Sequence, residues 1–165
     1  MKALIQTFSI VLSLTFAAGC SQAGPAEMQV VDYGLYQASN ESSLLDSNSP
    51  TGVVRTGGTF KLLQQTNVIS AKVGNAFGFR FLIPKEFQTP QLKYVYLFPE
   101  MRNANTGQAF SRSEVFGERK GHGPESGIFY NLTDPWELVP GEWTIQVFAH
   151  DRKLLERQFI LVKDD

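Results

Sequence analysis

Few residues of this chain belong to the types that bind metals or act as nucleophiles. The sequence contains two histidines, His122 and His150, and a single cysteine, Cys20. A cysteine-rich zinc site and a three-histidine metal centre are therefore excluded within one chain. His122 lies in a glycine-rich segment, residues 120–125, whose spacing matches neither a P-loop nor a dinucleotide-binding motif. His150 and Asp151 share a predicted charged turn, so we interpret both segments as solvated loops.

No nucleophile–base arrangement is recognisable either. The sequence has no Gly-x-Ser-x-Gly motif, and Glu114 and Glu118 fall in a predicted strand and loop where they need not meet. We therefore expect no catalytic residues, no cofactor and no bound metal. With 15 Lys and Arg against 16 Asp and Glu, the net charge of −1 also argues against a nucleic-acid partner.

The first twenty residues resemble the signal of a bacterial lipoprotein. Lys2 precedes an uncharged, mostly apolar stretch at residues 3–19, which is shorter than the roughly 20 residues that a membrane-spanning helix needs. Small residues at 17–19 lead directly to Cys20, as in a lipobox, although the consensus prefers leucine where this chain has Ala17. The alternative is an ordinary signal peptide cleaved after Ala18 or Ala23.

This resemblance implies that residues 1–19 are removed and that Cys20 is acylated and anchors the chain in a membrane. Ser21, in place of the aspartate that retains enteric lipoproteins at the inner membrane, implies sorting to the outer membrane, facing the periplasm. Residues 20–27 then form the lipidated cysteine and a short tether, and residues 28–165 form a single domain. Seven tether residues reach about 25 Å when fully extended.

Beyond Met28 the dominant hydrophobic period is two, which predicts β-strands. No window of twelve or more residues shows a helical apolar pattern. We therefore expect an all-β antiparallel sandwich of about seven to eight strands. The predicted strands cover residues 31–35, 59–66, 77–83, 92–98, 109–116, 127–132, 143–149 and 154–162.

Three other segments complete the predicted architecture. Asp134 is placed to cap a short helical turn that begins at Pro135 and is closed by Glu137, which is typical of a crossover between the sheets of a sandwich. Residues 37–52, which are rich in serine, read as a long loop. Residues 99–126 contain one weak strand.

The closing segment carries the clearest resemblance to known domains. Residues 141–148 and 154–162 form a predicted hairpin, and its Pro-Gly-x-Trp-x-Ile-x-Val pattern resembles the closing hairpin of immunoglobulin-like bacterial domains. Together with Val-Val-Asp-Tyr-Gly-Leu-Tyr at residues 30–36, it makes residues 28–165 similar to a bacterial family known only as a domain of unknown function. That family has no established chemistry, so the resemblance implies only the fold and the location.

Aromatic and basic residues supply the candidate recognition surface. The sequence has 13 Phe, 5 Tyr and 2 Trp, most of which fall on the inward phase of strands and are explained by core packing. Trp143 is expected in the core, whereas Trp136, near the crossover, is the aromatic expected to be partly exposed. The candidate surface consists of Trp136, Arg102, Arg119, Lys120 and His122, with Arg112 as a further member of the basic patch.

The leading hypothesis is a lipid-anchored binding or accessory module of the bacterial cell envelope, without catalytic activity. Its partners would be the membrane, through the anchor, and an envelope protein or a glycan. One alternative is a carbohydrate- or peptidoglycan-binding module, which requires aromatic side chains exposed in a row on one strand face. Another is a hydrolase with an unfamiliar site, which requires titratable groups converging in a pocket.

Overall fold

The chain folds into two β-sheets that pack face to face. The computed structural model describes residues 27–45, 49–84, 91–118 and 125–163, so Cys20 and Ser21 lie outside the described residues. Those residues form nine strands and one 3-10 turn, Pro135–Glu137. The strands are β1 (Gln29–Leu45), β2 (Val53–Gln64), β3 (Val68–Ala71), β4 (Ala76–Leu82), β5 (Gln91–Arg102), β6 (Ala109–Glu118), β7 (Glu125–Asn131), β8 (Gly141–Ala149) and β9 (Arg152–Lys163).

The first sheet has four strands in the order β2-β1-β4-β7, and the second has five in the order β3-β9-β8-β5-β6. Neighbours are antiparallel at every described pairing except β3–β9, which is parallel. The all-β sandwich is therefore confirmed, with nine strands among the described residues in place of the predicted seven to eight. The additional strand is β3, whose four residues are too few to establish a period.

The core lies between the sheets and follows the predicted alternation. Phe77, Phe79 and Phe81 of β4 are completely buried. They are packed with Trp143 of β8, whose indole is edge-on to Phe77, with ring centroids 5.5 Å apart. The Trp143 Nε1–H donates to the Val139 carbonyl at 3.1 Å. The prediction that Trp143 belongs to the core is confirmed.

The predicted loop at residues 37–52 is wrong, because β1 continues to Leu45 and pairs with β2 as a hairpin in which Leu45 lies opposite Val53. Beyond Tyr36, β1 has only β2 as a described neighbour, and none of the side chains described there belongs to the core cluster. Its backbone ladder forms without an apolar side-chain period, which explains why a serine-rich sequence is a strand.

The side chain of Asn103 connects the tip of the β1–β2 hairpin to the turn between β5 and β6. Its buried side-chain amide donates to the Pro50 carbonyl at 2.8 Å. Its side-chain oxygen accepts the backbone N–H groups of Asn105 and Thr106, at 2.8 and 3.1 Å. One asparagine therefore orders its own turn and holds the neighbouring hairpin tip against it.

The crossover from the first sheet to the second is the 3-10 turn predicted at Pro135. Glu137 is 1% exposed, and its carboxylate accepts the backbone N–H groups of Thr133 and Asp134, both at 2.8 Å. It also accepts the Tyr130 hydroxyl at 2.7 Å. Burial and the adjacent carboxylate together raise the pKa of Tyr130 well above its usual range. We interpret this buried cluster as structural, because these donors organise the connection between β7 and β8.

Candidate functional site

The described members of the sequence-predicted recognition surface are partly buried or paired with an acidic side chain. Trp136 is half-buried against the core. Arg102, at the end of β5, forms an ion pair with Glu100. Arg112 likewise pairs with Glu114. Arg119, Lys120 and His122 lie outside the described residues, so the surface as a whole stays a prediction.

A different group of side chains meets on the outer face of the first sheet. The strand register places Asp32 of β1 opposite Arg80 of β4, and it places Gly78 of β4 opposite Phe129 of β7. Because Phe77 and Phe79 face the core, Arg80 and its partners point the other way. We call the following set the outer-face cluster: Asp32, Tyr36, Phe60, Arg80, Glu125 and Phe129.

Ionic contacts fix the guanidinium of Arg80 in this cluster. Its Nε donates to both Asp32 oxygens, at 2.9 and 3.1 Å, and its Nη2 also donates to Asp32. Nη1 donates to Glu125 at 3.0 Å. The hydrogen bond from Arg80 holds the pKa of Asp32 below its usual value, and the same pairing raises the pKa of Arg80. The Arg80 side chain remains 37% exposed between the two carboxylates.

Tyr36 is hydrogen-bonded to the carboxylate of Asp32. Its hydroxyl donates to Asp32 Oδ1 at 2.6 Å, and the residue is only 1% exposed although it does not belong to the core cluster between the sheets. Burial, followed by the hydrogen bond to Asp32, raises the pKa of Tyr36. The phenol therefore stays protonated and acts as a hydrogen-bond donor at neutral pH.

A pair of stacked phenylalanines, one of which contacts Tyr36, lies in the same cluster. The Phe129 ring stacks on Phe60 with centroids 3.9 Å apart and meets Tyr36 edge-on at 4.7 Å. Gly78 of β4 permits the close approach of the β7 backbone at this point, because a Cβ there would lie 2.0 Å from the Ile128 carbonyl oxygen. Both phenyl rings are half-buried, so the cluster presents part of their surface together with the guanidinium of Arg80.

The outer-face cluster combines guanidinium donors with apolar surface, and its two carboxylates are ion-paired with Arg80. Arg80 offers planar donors suited to carboxylate or carbonyl oxygens, and the phenyl rings offer apolar contact beside them. Among the residues that the structure describes, no three His, Cys, Asp or Glu side chains are grouped to hold a metal ion. The arrangement therefore offers polar and apolar contacts side by side.

Sequence reasoning missed this cluster, although a signal was present. Phe129 lies between the inward-facing Ile128 and Tyr130, so its ring falls on the outward phase of β7. An aromatic residue on the polar phase of a strand is the pattern that could have identified it. The pairing of Asp32 with Arg80 could not be anticipated, because it depends on the register between separate strands.

Arg157 is a further cation whose position is informative. It lies opposite Ile145 and therefore faces the interior of the sandwich. Its guanidinium carbon is 3.1 Å from the centroid of the Tyr33 ring, and its buried Nε has no hydrogen-bond partner. We interpret this cation–π contact as one that links β9 of the second sheet to β1 of the first sheet.

The outer face of the second sheet bears on the glycan alternative. Phe116, Lys93 and Phe148 occupy one row across β6, β5 and β8. Phe116 is 60% exposed, but Phe148 is half-buried and the Lys93 amine lies 5.1 Å from its ring centroid. The row therefore presents one freely exposed ring, and the glycan alternative stays a hypothesis.

Comparison with known proteins identifies the family. The family model for the domain of unknown function DUF3859 matches residues 25–161. The chain belongs to the DUF3859 family. Membership confirms the predicted resemblance to an uncharacterised family and covers every residue of the outer-face cluster.

A solved structure resembles this DUF3859 chain. It is an immunoglobulin-like protein from Pseudomonas aeruginosa, 28% identical, with a TM-score of 0.60 over 85% of this chain and 100% of that one. The immunoglobulin-like character of the DUF3859 domain is thereby supported by sequence and structure together. No match was found among curated proteins. None of the helical segments within the described ranges is long and apolar enough to cross a membrane.

Proposed function

We propose that this DUF3859 protein is a lipid-anchored binding module of the bacterial cell envelope that presents the outer-face cluster to a partner. The observation that carries the proposal is Arg80, which is partly exposed and held by two carboxylates beside stacked phenyl rings. Arginine and aromatic residues, phenylalanine among them, are enriched in protein interfaces, and arginine is also enriched among the residues that contribute most of the binding energy.

The order of the cluster supports a role in recognition. Asp32 and Glu125 already hold the guanidinium of Arg80 in one orientation. A partner that contacts it therefore immobilises little additional side-chain freedom, which is one of the main penalties of association. Tyr36 extends this order into the sheet because its buried hydroxyl fixes Asp32.

The lipobox at residues 17–20 supports the anchored location. β1 begins at Gln29, so the proposed lipid on Cys20 is separated from the first strand only by a short tether. More than one acyl chain gives firm membrane attachment, whereas a single chain binds marginally and reversibly. The anchor would keep the outer-face cluster close to partners at the membrane.

Affinity capture from detergent-solubilised envelopes tests the binding role. We choose Glu125→Arg, because Glu125 is 46% exposed and its reversal places a cation against Arg80. The matched control is Glu156→Arg, which reverses an exposed, ion-paired glutamate on the second sheet. Wild type and the control should capture the same partner, and Glu125→Arg should lose it.

Two results contradict the proposal. Retention of the partner by Glu125→Arg would contradict binding through the outer-face cluster. If Glu156→Arg loses the partner in the same experiment, binding would be assigned to the second sheet. Failure of the wild-type protein to enrich any envelope component over empty resin would contradict a binding role. Thermal unfolding of both variants checks that each is folded before capture.

A further inference from the structure

The strand order brings several chain segments to one end of the sandwich, which we call the N-terminal end. In the first sheet Gln29 lies opposite Leu82, and Leu82 lies opposite Glu125. In the second sheet Gln91 lies opposite Glu118. In the sequence, only residues 83–90 separate the end of β4 from the start of β5, and only residues 119–124 separate the end of β6 from the start of β7. The proposed tether therefore enters the domain at this same end.

Apolar side chains are exposed on the first sheet at the N-terminal end. Val30, Val31 and Leu82 are 36%, 46% and 38% exposed. The cause is local, because a register shift between Val30 and Asp32 inserts Val31 as an extra residue opposite β4. Such a bulge leaves one residue outside the regular alternation, so two consecutive valines reach solvent.

The second sheet adds an aromatic and a cation at the same end. Phe116, two residues before the end of β6, is 60% exposed, the largest value among the exposed large hydrophobic residues of the described chain. Lys93 lies beside it in the same row, with its amine over Phe148. Phenylalanine at the boundary of the acyl chains and lysine at the level of the phosphates are typical of proteins that lie on a membrane surface.

The short tether favours the membrane that holds the anchor as the partner of the N-terminal end. Residues 21–27 reach about 25 Å at full extension, whereas the twelve residues of β5 alone span about 40 Å. The tether is therefore shorter than the domain is long, and the N-terminal end stays near the membrane that holds the anchor. A short tether also holds the domain at an effective concentration of about millimolar relative to its own membrane. Weak apolar contacts at the N-terminal end are then sufficient for docking.

We propose that the N-terminal end docks on the phospholipid leaflet that holds the anchor, with Val30, Val31 and Leu82 on one side and Phe116 on the other. This inference rests on the lipidation of Cys20 proposed above. Docking would leave the far end, with the hairpin tip held by Asn103, directed away from the membrane.

Photo-crosslinking of the full-length lipidated protein tests the inference. The protein is reconstituted in vesicles of phosphatidylethanolamine and phosphatidylglycerol, with p-benzoylphenylalanine in place of Val31, Phe116 or Ile160. Ile160 is the matched control, since it is 40% exposed and lies eight residues along β9 from Arg152. Adducts with lipid should form at positions 31 and 116, several-fold above position 160. Phe116→Glu should reduce the adduct at position 31, and Lys163→Glu should not.

Equal adduct yields at the three positions, or a larger yield at position 160, would overturn the docking orientation. Palmitate labelling of the same samples separates this failure from that of the anchor. A labelled protein without adducts at positions 31 and 116 contradicts docking alone. An unlabelled protein contradicts the proposed anchoring, and the docking inference falls with it.

Discussion

The contact between Tyr36 and Asp32 provides a sharp test of the outer-face cluster. We compare Asp32→Ala, Tyr36→Phe and the double variant by their free energies of unfolding. Tyr36 is 1% exposed, so Asp32→Ala leaves its hydroxyl buried without the carboxylate that accepts it. A buried group that loses its hydrogen-bond partner destabilises the protein by about 1–3 kcal/mol.

The ion pair with Arg80 adds little to this value. Arg80 is 37% exposed, and pairs open to solvent contribute about 0–1 kcal/mol. Asp32→Ala should therefore lower the free energy of unfolding by about 1–4 kcal/mol, the sum of the two contributions. In the Tyr36→Phe background the hydroxyl is absent, so the same substitution should cost only about 0–1 kcal/mol.

Urea denaturation at neutral pH measures the cycle, with Glu114→Ala as control because Glu114 pairs with the exposed Arg112 and has no buried phenol. The control should cost no more than about 1 kcal/mol. We expect a coupling energy of about 1–3 kcal/mol between Asp32 and Tyr36. Additive effects, with coupling below about 0.5 kcal/mol, would refute the reasoning that these two side chains act as one unit.

Two further predictions concern the core and the pH dependence of stability. Trp143→Ala should cost roughly 3–5 kcal/mol, because Trp143 is completely buried, and should lower the melting temperature by about 10 °C or more in a scanning calorimeter. Trp136→Ala should lower the free energy of unfolding by clearly less, because Trp136 is only half-buried. Equal shifts in melting temperature for the two variants would contradict the assignment of Trp143 to the core. The stability that ionised Asp32 contributes should be fully present above its ordinary pKa of 3.8, because folding lowers that pKa. The gap in unfolding free energy between wild type and Asp32→Asn should therefore be constant from pH 7 to pH 5 and narrow as the pH falls below 3.8; a gap that widens there would contradict the lowered pKa.

The core was predictable because single-face burial leaves a simple pattern in the sequence. Three phenylalanines of β4, at positions 77, 79 and 81, alternate with outward residues. Trp143 and Ile145 of β8 show the same alternation and pack in the same core cluster. The crossover at Pro135 was also predictable, since its capping residues are local in sequence. Both features depend on neighbouring positions in the chain.

Features that depend on pairing between distant strands were not predictable. The second half of β1 is held by the ladder with β2, for which side-chain periodicity gives no signal. The contact of Asp32 with Arg80 requires a register across 48 positions of sequence, and the bulge at Val31 shifts that register locally. The outer-face cluster therefore emerges only once the sheet is assembled.

The most direct test of the central claim is radiolabelled palmitate incorporation into Cys20, followed by detergent phase partition. Wild type should take up label and enter the detergent phase, because residues 17–20 resemble a lipobox and we propose that Cys20 is acylated. Cys20→Ala should remain unlabelled and aqueous. Equal labelling of the two proteins, or no label in wild type, would contradict the account of a lipid-anchored envelope module.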